Sequence, residues 1–179
     1  YPLKPKKQEI NSSDALSMKV KEGEGTIKTR KVAFLVDNGV SKKSVDQLKK
    51  ALEKEGAQAV LISSKVGELT YEEGSKEKIS HSYLTDPSVC YDAVFTPSGK
   101  SIESLKLNPD YYEFINDSYR HCKILAFAKG AGSLMDNSFV KLDRGVILED
   151  ENENWIADFI QVMKLHRIWD REEERKVPS

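Results

Sequence analysis

The sequence predicts an α/β domain in which a doubly wound, mostly parallel five-stranded sheet carries helices on both faces, with a small antiparallel excursion. Three observations predict it. Short continuous apolar runs, such as "KVAFLV" (31–36) and "KILAFA" (123–128), have the length and lack of alternation of strands covered on both faces. Amphipathic segments bounded by capping residues lie between such runs. The two kinds of segment alternate through most of the chain, the order that yields parallel strands joined by right-handed crossovers.

Residues 1–30 are rich in Lys, Ser and Gly, show no useful periodicity and read as a linker from an upstream domain. With Tyr1 where a start methionine would stand, they read as the cut end of a longer polypeptide. The domain proper is expected over 31–179. After the first strand, "DNGVS" turns toward a helix in "SKKSVDQLKKALEKEG", where Val45, Leu48, Ala51 and Leu52 share a face. Ser44 and Gln47 have capping-box spacing, and Gly56 stops the helix. "AQAVLIS" follows as the second strand, completing a βαβ unit. Residues 65–91 break the rhythm, with two short alternating runs around "EEGS" that read as the antiparallel excursion. "DAVFT" is the third core strand, and "NPDYYEFINDSYRHC" a helix with Pro109 in its first turn. "KILAFA" and "GVILE" are strands four and five. In "ENWIADFIQVMKLHRIWD", Trp155, Phe159, Val162, Met163 and His166 recur at helical spacing, predicting that this final helix is the longest and lies along the sheet with Trp155 buried. The whole is a flavodoxin-like sandwich.

Composition restricts the chemistry. A chain of 179 residues with a hydrophobic fraction of 39% suits one domain that buries roughly 70% of its unfolded surface. The 28 Lys and Arg residues nearly balance 29 Asp and Glu, so no field for nucleic acid follows. No apolar run approaches the ~18 residues of a membrane span, and no signal peptide is legible. Cys90 and Cys122 have neither a CxxC nor a metal spacing and read as reduced thiols, so a cytoplasmic location is expected. Metal ligands are not expected.

"VFTPSGKS" (94–101) closes like a phosphate-binding loop, but Val94 stands at the first glycine position and Pro97 has no N–H to aim at phosphate. His81, His121 and His166 are far apart in sequence and read as structural histidines. His121 adjoins Cys122, yet neighbours on a helix or extended segment point in different directions. "DREEER" (170–175) reads as a solvated tail with i,i+4 pairs worth a few tenths of a kcal/mol. The most suggestive stretch is "KILAFAKGAGSL" (123–134), a buried strand running into a glycine-rich turn and a helix. That turn often carries a nucleophile in α/β enzymes.

"KVAFLVDNGV", "DAVFTPSGKSIESL" and "KILAFAKGAGSL", in that order, resemble the class I glutamine amidotransferase-like superfamily, which includes cysteine peptidases and glyoxalase-like enzymes. The resemblance implies that the turn is a nucleophile elbow, with Ala128 where active members present cysteine and Lys129 and Gly130 following it. The acidic residue that supports that thiol in many relatives falls near Ser41. Both losses imply a vestigial elbow and no catalytic residue. Cys122, before the strand, cannot be presented there. A stand-alone cysteine hydrolase or glyoxalase-like enzyme is the alternative reading, and Ala128 discriminates against it, as it does against an ammonia-generating amidotransferase.

"SSDALSM", "IKTRKVAFLV", "GELTYEEG", "NPDYYEFI" and "HRIWDREEERKVPS" together are similar to the C-terminal domain of large-subunit catalases, over about residues 14–179. The resemblance implies a haem-bearing parent that dismutates hydrogen peroxide. It implies an accessory domain with no haem of its own, packed against the remainder of the subunit and tetramer. The residues agree with this independently. A catalase haem needs a tyrosinate held by an arginine in an R-x-x-x-Y arrangement, and no arginine here is followed four residues later by tyrosine. Self-association and chaperone-like contact with unfolded proteins are expected of a contact face uncovered when the domain stands alone.

Overall fold

The expected alternation of strand and helix is present on either side of the excursion in residues 65–91. In the computed structural model, which describes residues 10, 13–21 and 23–175, the chain runs through β1 (Lys31–Leu35), α1 (Lys42–Lys54) and β2 (Gln58–Ser63). The hairpin β3 (Gly67–Thr70) and β4 (Lys76–Ile79) comes next, then β5 (His81–Ser82) and β6 (Ala93–Thr96). Helices α2 (Ser101–Leu105) and α3 (Pro109–Arg120) lead to β7 (Ile124–Phe127) and a 3-10 segment, Ala131–Asn137. β8 (Val146–Leu148), α4 (Trp155–Met163) and α5 (Asp170–Arg175) complete the order.

The main sheet has the order β5-β2-β1-β6-β7-β8, every pairing parallel. It therefore has six strands rather than five. The addition, β5, is a two-residue edge strand pairing Ile62 with His81 and Ser63 with Ser82, too short to show any period. β3 and β4 form the antiparallel excursion, with Gly67 opposite Ile79 and Thr70 opposite Lys76.

Alternation along the central strand divides the core. Val32, Phe34 and Val36 point to a layer built by Val45, Leu48 and Leu52 of α1, Trp155, Phe159 and Met163 of α4, and Leu69 and Ile79 of the hairpin. Ala33 and Leu35 point to the other, built by Tyr111, Phe114 and Ile115 of α3 and Leu134 of the 3-10 segment. Phe95 stacks on Trp155 with ring centroids 5.4 Å apart and meets Phe34 edge-on at 4.9 Å. Packing also extends ahead of β1, because Ile27 is buried in the first layer.

Three sequence expectations need correction. The N-cap of α1 is Ser41, whose hydroxyl accepts the Ser44 N–H. Ser44 itself lies inside the helix, and its hydroxyl accepts the Ser98 N–H at 3.1 Å. The helix expected to be last and longest, α4, is neither: α1 has 13 residues against 9 in α4, and α5 follows it. The chain leaves the helix after Met163 because His166 takes a left-handed φ of 68° and the Ile168 N–H donates 2.7 Å to the Cys122 carbonyl, drawing the buried Ile168 to the start of β7. His166 mimicked helical spacing without being helical. At Arg171, "DREEER" departs from the expected solvated tail. Arg171 is 5% exposed; its Nε and Nη2 donate to Asp143 at 2.6 and 2.8 Å, its Nη1 donates to the Lys123 carbonyl at 2.5 Å, and its guanidinium lies over the Tyr119 ring.

Candidate functional site at the strand-turn-helix elbow

In a doubly wound sheet, ligands settle at the carboxyl ends of the strands, where neighbouring loops diverge at the switch in strand order. Here that switch lies between β1 and β6. The two loops do not diverge. Val40 bridges Gly99, the Ser41 N–H donates 2.8 Å to the Ser98 carbonyl, and the Ser101 N–H donates 3.3 Å to the Gly39 carbonyl. Gly99, at φ 129°, is required for this approach: a Cβ there would stand 2.5 Å from the Ser41 nitrogen. The hairpin adds to the seam, since the Gly39 N–H donates to the Thr70 carbonyl and the Thr70 N–H to the Asn38 side chain, each at 2.8 Å. Two amides of the "PSGKS" turn, those of Ser98 and Ser101, are thus committed to the protein's own atoms rather than to a phosphate. The resemblance put the lost acidic position near Ser41, and Ser41 caps α1 instead.

The elbow lies two strands away from β1, after β7. Ala128 is fully buried, its N–H donating 2.9 Å to the Thr96 carbonyl. Nucleophile elbows hold their nucleophile on a strained, exposed turn. Ala128 has no positive φ; the left-handed residue is Gly130, at φ 78°. Lys129 and Gly130 are exposed, and their amides are the groups that an oxyanion would seek. Both amides are occupied: the Lys129 N–H donates 2.8 Å to Glu149 Oε2, and the Gly130 N–H donates 2.8 Å to Asp150 Oδ2. Strand register produces this. Phe127 is aligned with Leu148, so the residues that follow the two strands emerge side by side, and the first two acidic side chains after β8 meet the first two free amides after Ala128. The surrounding hollow of about 330 Å³ is lined by Gln47, Lys129, Glu149, Asp150, Glu153 and Trp155 and repels a second anion.

The remaining candidates are dispersed. His81 pairs with Asp86 at 3.0 Å, and His121 ends α3. His166 lies beyond α4, 3.7 Å from Asp92, and burial with the charges of Arg167 and Arg30 pushes its pKa down. Cys90 is exposed. Cys122 is buried at the far end of β7 from Ala128, with its thiol donating to Glu172. No group of three His, Cys, Asp or Glu residues placed to hold a metal ion occurs among the described residues.

Five of the described tyrosines lack the environment of a proximal haem ligand. Tyr71, Tyr83, Tyr91, Tyr111 and Tyr119 all have hydroxyls pushed above the ordinary tyrosine value, first by burial. Acidic neighbours add to this at Tyr71, Tyr91 and Tyr119. A proximal haem ligand needs the opposite, a stabilised phenolate.

Several features escape sequence reasoning. The Arg171–Asp143 pair was hidden in a charge run, although Ile168 and Arg171 are spaced for one helix face. Glu149 and Asp150 read as loop charges. Lys123 opens an otherwise apolar strand, yet it is 2% exposed with its ammonium donating to the Ser88 carbonyl; burial and the Arg167 charge push its pKa down to about 8.

Residues 28–173 match the family described as the C-terminal domain found in long catalases. The chain is 32% identical to Catalase HPII of Pseudomonas putida over 93% of its own length and 23% of that protein. It is 34% identical to Catalase-2 of Bacillus subtilis over 92% of its own length and 24% of that protein. It thus spans about a quarter of the relatives it matches. A two-domain Anabaena variabilis protein with DJ-1/ThiJ/PfpI-like and ferritin-like domains superposes with a TM-score of 0.55 at 18% identity, covering 59% of this chain and 32% of that one. That likeness concerns the fold alone.

Proposed function

Because the chain belongs to the family of C-terminal domains found in long catalases, we propose that it is a non-catalytic accessory domain of a subunit that converts two molecules of hydrogen peroxide to two of water and one of oxygen. The haem is supplied upstream, and the domain works in the cytoplasm by packing against the remainder of the subunit and tetramer. The observation that carries the reading is the elbow. Ala128 offers no nucleophile, and Glu149 and Asp150 occupy the amides that would bind an oxyanion. A cysteine hydrolase or glyoxalase needs a thiolate there, and the one buried thiol, Cys122, sits at the opposite end of β7.

An accessory role predicts a separation of two measurements. Deleting residues 31–179 from the intact long catalase should leave peroxide turnover per haem within about twofold, because no reacting group is lost, and should shorten the half-life of activity on heating. A large loss of turnover in a deletion protein that still forms tetramers and binds haem would refute it. Chaperone-like protection is the finer part of the proposal. Exposed apolar side chains such as Leu84, Val89, Leu107 and Phe139 support it. Light scattering by a heat-denatured client should fall as the 179-residue chain is raised from equimolar to about tenfold excess. Scattering equal to that with albumin at both ratios would remove this part and leave the accessory role standing.

A further inference from the structure

At the edge of the sheet opposite the elbow, cations outnumber the carboxylates that face them. Arg30 immediately precedes β1, Lys123 precedes β7, and Arg167 lies in the turn after α4. Backbone carbonyls, not carboxylates, fix all three. Arg30 Nη1 donates to the Met163 carbonyl, which also accepts the His166 N–H at 3.1 Å. Arg167 Nη1 donates 2.8 Å to the His166 carbonyl, and Lys123 Nζ donates to that of Ser88. The bond from the Ile168 N–H to the Cys122 carbonyl ties this turn to the start of β7.

Asp92 is the carboxylate whose charge reaches Arg30, Lys123, His166 and Arg167 alike, with Asp117 adding to it at Lys123. Asp92 is engaged elsewhere: its Oδ2 accepts the Lys31 N–H at 2.9 Å, and its Oδ1 stands 3.7 Å from His166 Nε2. Among the described residues, Arg30, Arg167 and Lys123 have no carboxylate in ion-pair contact. A guanidinium carries five N–H donors, and each of these two uses one of them. Both are half-buried. They are therefore partly removed from water, close enough for the Arg167 charge to act on Arg30, Lys123 and His166, and left with most of their donors unused.

We propose that Arg30 and Arg167 form a binding site for an oxyanion, phosphate or carboxylate, at the amino-terminal edge of the sheet, with the buried Lys123 ammonium as a supporting charge behind them. An oxyanion offsets the mutual repulsion and accepts from the forked donors, whose spacing matches two oxygens of one phosphate or carboxylate. The same chemistry can come free in solution or on the acidic side chains of another protein segment. The segment that leads into β1 crosses this edge, with Gly25 so close to Lys164 that a Cβ would stand 1.9 Å from its carbonyl oxygen.

The test is a titration of the 179-residue chain at constant ionic strength with inorganic phosphate, citrate or an oligoglutamate peptide, against chloride. It is followed by NMR at the Arg30 and Arg167 Nε–Hε groups and the Lys123 amide. Saturable shifts are expected, weakened about tenfold by Arg167→Gln and less by Arg167→Lys. Tighter binding of phosphate or citrate identifies a free anion; tighter binding of the peptide identifies a protein segment. Arg30→Gln should weaken binding too, but it also removes the Met163 contact, so Arg167→Gln carries the test if that variant unfolds. The proposal is overturned if no anion exceeds chloride, or if Arg167→Gln, with an otherwise unchanged amide spectrum, binds as the parent does.

Discussion

Replacing Arg171 by Met keeps much of the side-chain volume and removes the charge at the junction of α5, β7 and the loop before β8. The guanidinium makes a two-pronged pair with Asp143, donates to the Lys123 and Tyr119 carbonyls, and covers the Tyr119 ring. Its loss leaves a partly buried carboxylate and two carbonyls without this donor. Breaking such a pair by removing one partner costs about 3–5 kcal/mol, whereas a solvated i,i+4 pair would contribute about 0.2–0.5 kcal/mol. With a urea m-value of about 2 kcal/mol/M, the unfolding midpoint read by circular dichroism should fall by roughly 2 M. The pH dependence should change as well. Burial pushes the Asp143 carboxyl up, but the Arg171 bonds and charge, with the Gly145 and Tyr119 hydrogen bonds, outweigh it and hold the value below the ordinary one. Its stabilising contribution is therefore complete above the ordinary carboxylate value of ~3.9 and lost as pH falls through the lower folded value. In Arg171→Met this acid loss should shrink. A midpoint change equivalent to less than about 1 kcal/mol, with an unaltered acid limb, would refute the buried-clamp account.

Trp155→Ala should cost about 3–5 kcal/mol, because the indole is 3% exposed and stacked on Phe95; a urea midpoint near that of the parent would contradict this. Ala128→Cys should not yield a rapidly alkylated thiol at about pH 6, since the site is sealed and no histidine serves it; fast iodoacetamide labelling there would show that the elbow opens. Lys123 has a depressed folded value of about 8. Between about pH 8 and ~10.4 the unfolded chain binds the extra proton, so stability should rise with pH, and Lys123→Met should flatten that rise. An equal slope in parent and variant would place the titration elsewhere.

The parallel sheet was legible because each core strand is a separate apolar run and each long helix has an apolar stripe. Pro109 announces the start of α3, and the Asn108 side chain caps it. What escaped was set by contacts distant in sequence. Nothing local distinguishes Ser41 from Ser44 as the cap, because the choice depends on Ser98 drawing the Ser44 hydroxyl away. Met163 ends α4 because a strand beginning near residue 123 offers a carbonyl to Ile168. At the elbow, the sequence shows directly that Ala128 carries no nucleophilic group. The occupation of the amides could not, because it depends on the register between β7 and β8.

The contact between Arg30 and the Met163 carbonyl joins positions 133 residues apart. Synthesis runs in one direction, so a ribosome that has delivered the central strand β1 has not yet made what seals its near end. Ile27 waits for the layer completed by Phe159, Met163 and Ile168, and the start of β7 waits for Arg171. A nascent chain therefore carries its sheet with one end unlatched until residues 163–171 clear the exit tunnel. A chain stopped before residue 163 should lack both the Arg30 contact with the Met163 carbonyl and the Arg171 contact with the Lys123 carbonyl, and so keep the near end of its sheet open to solvent.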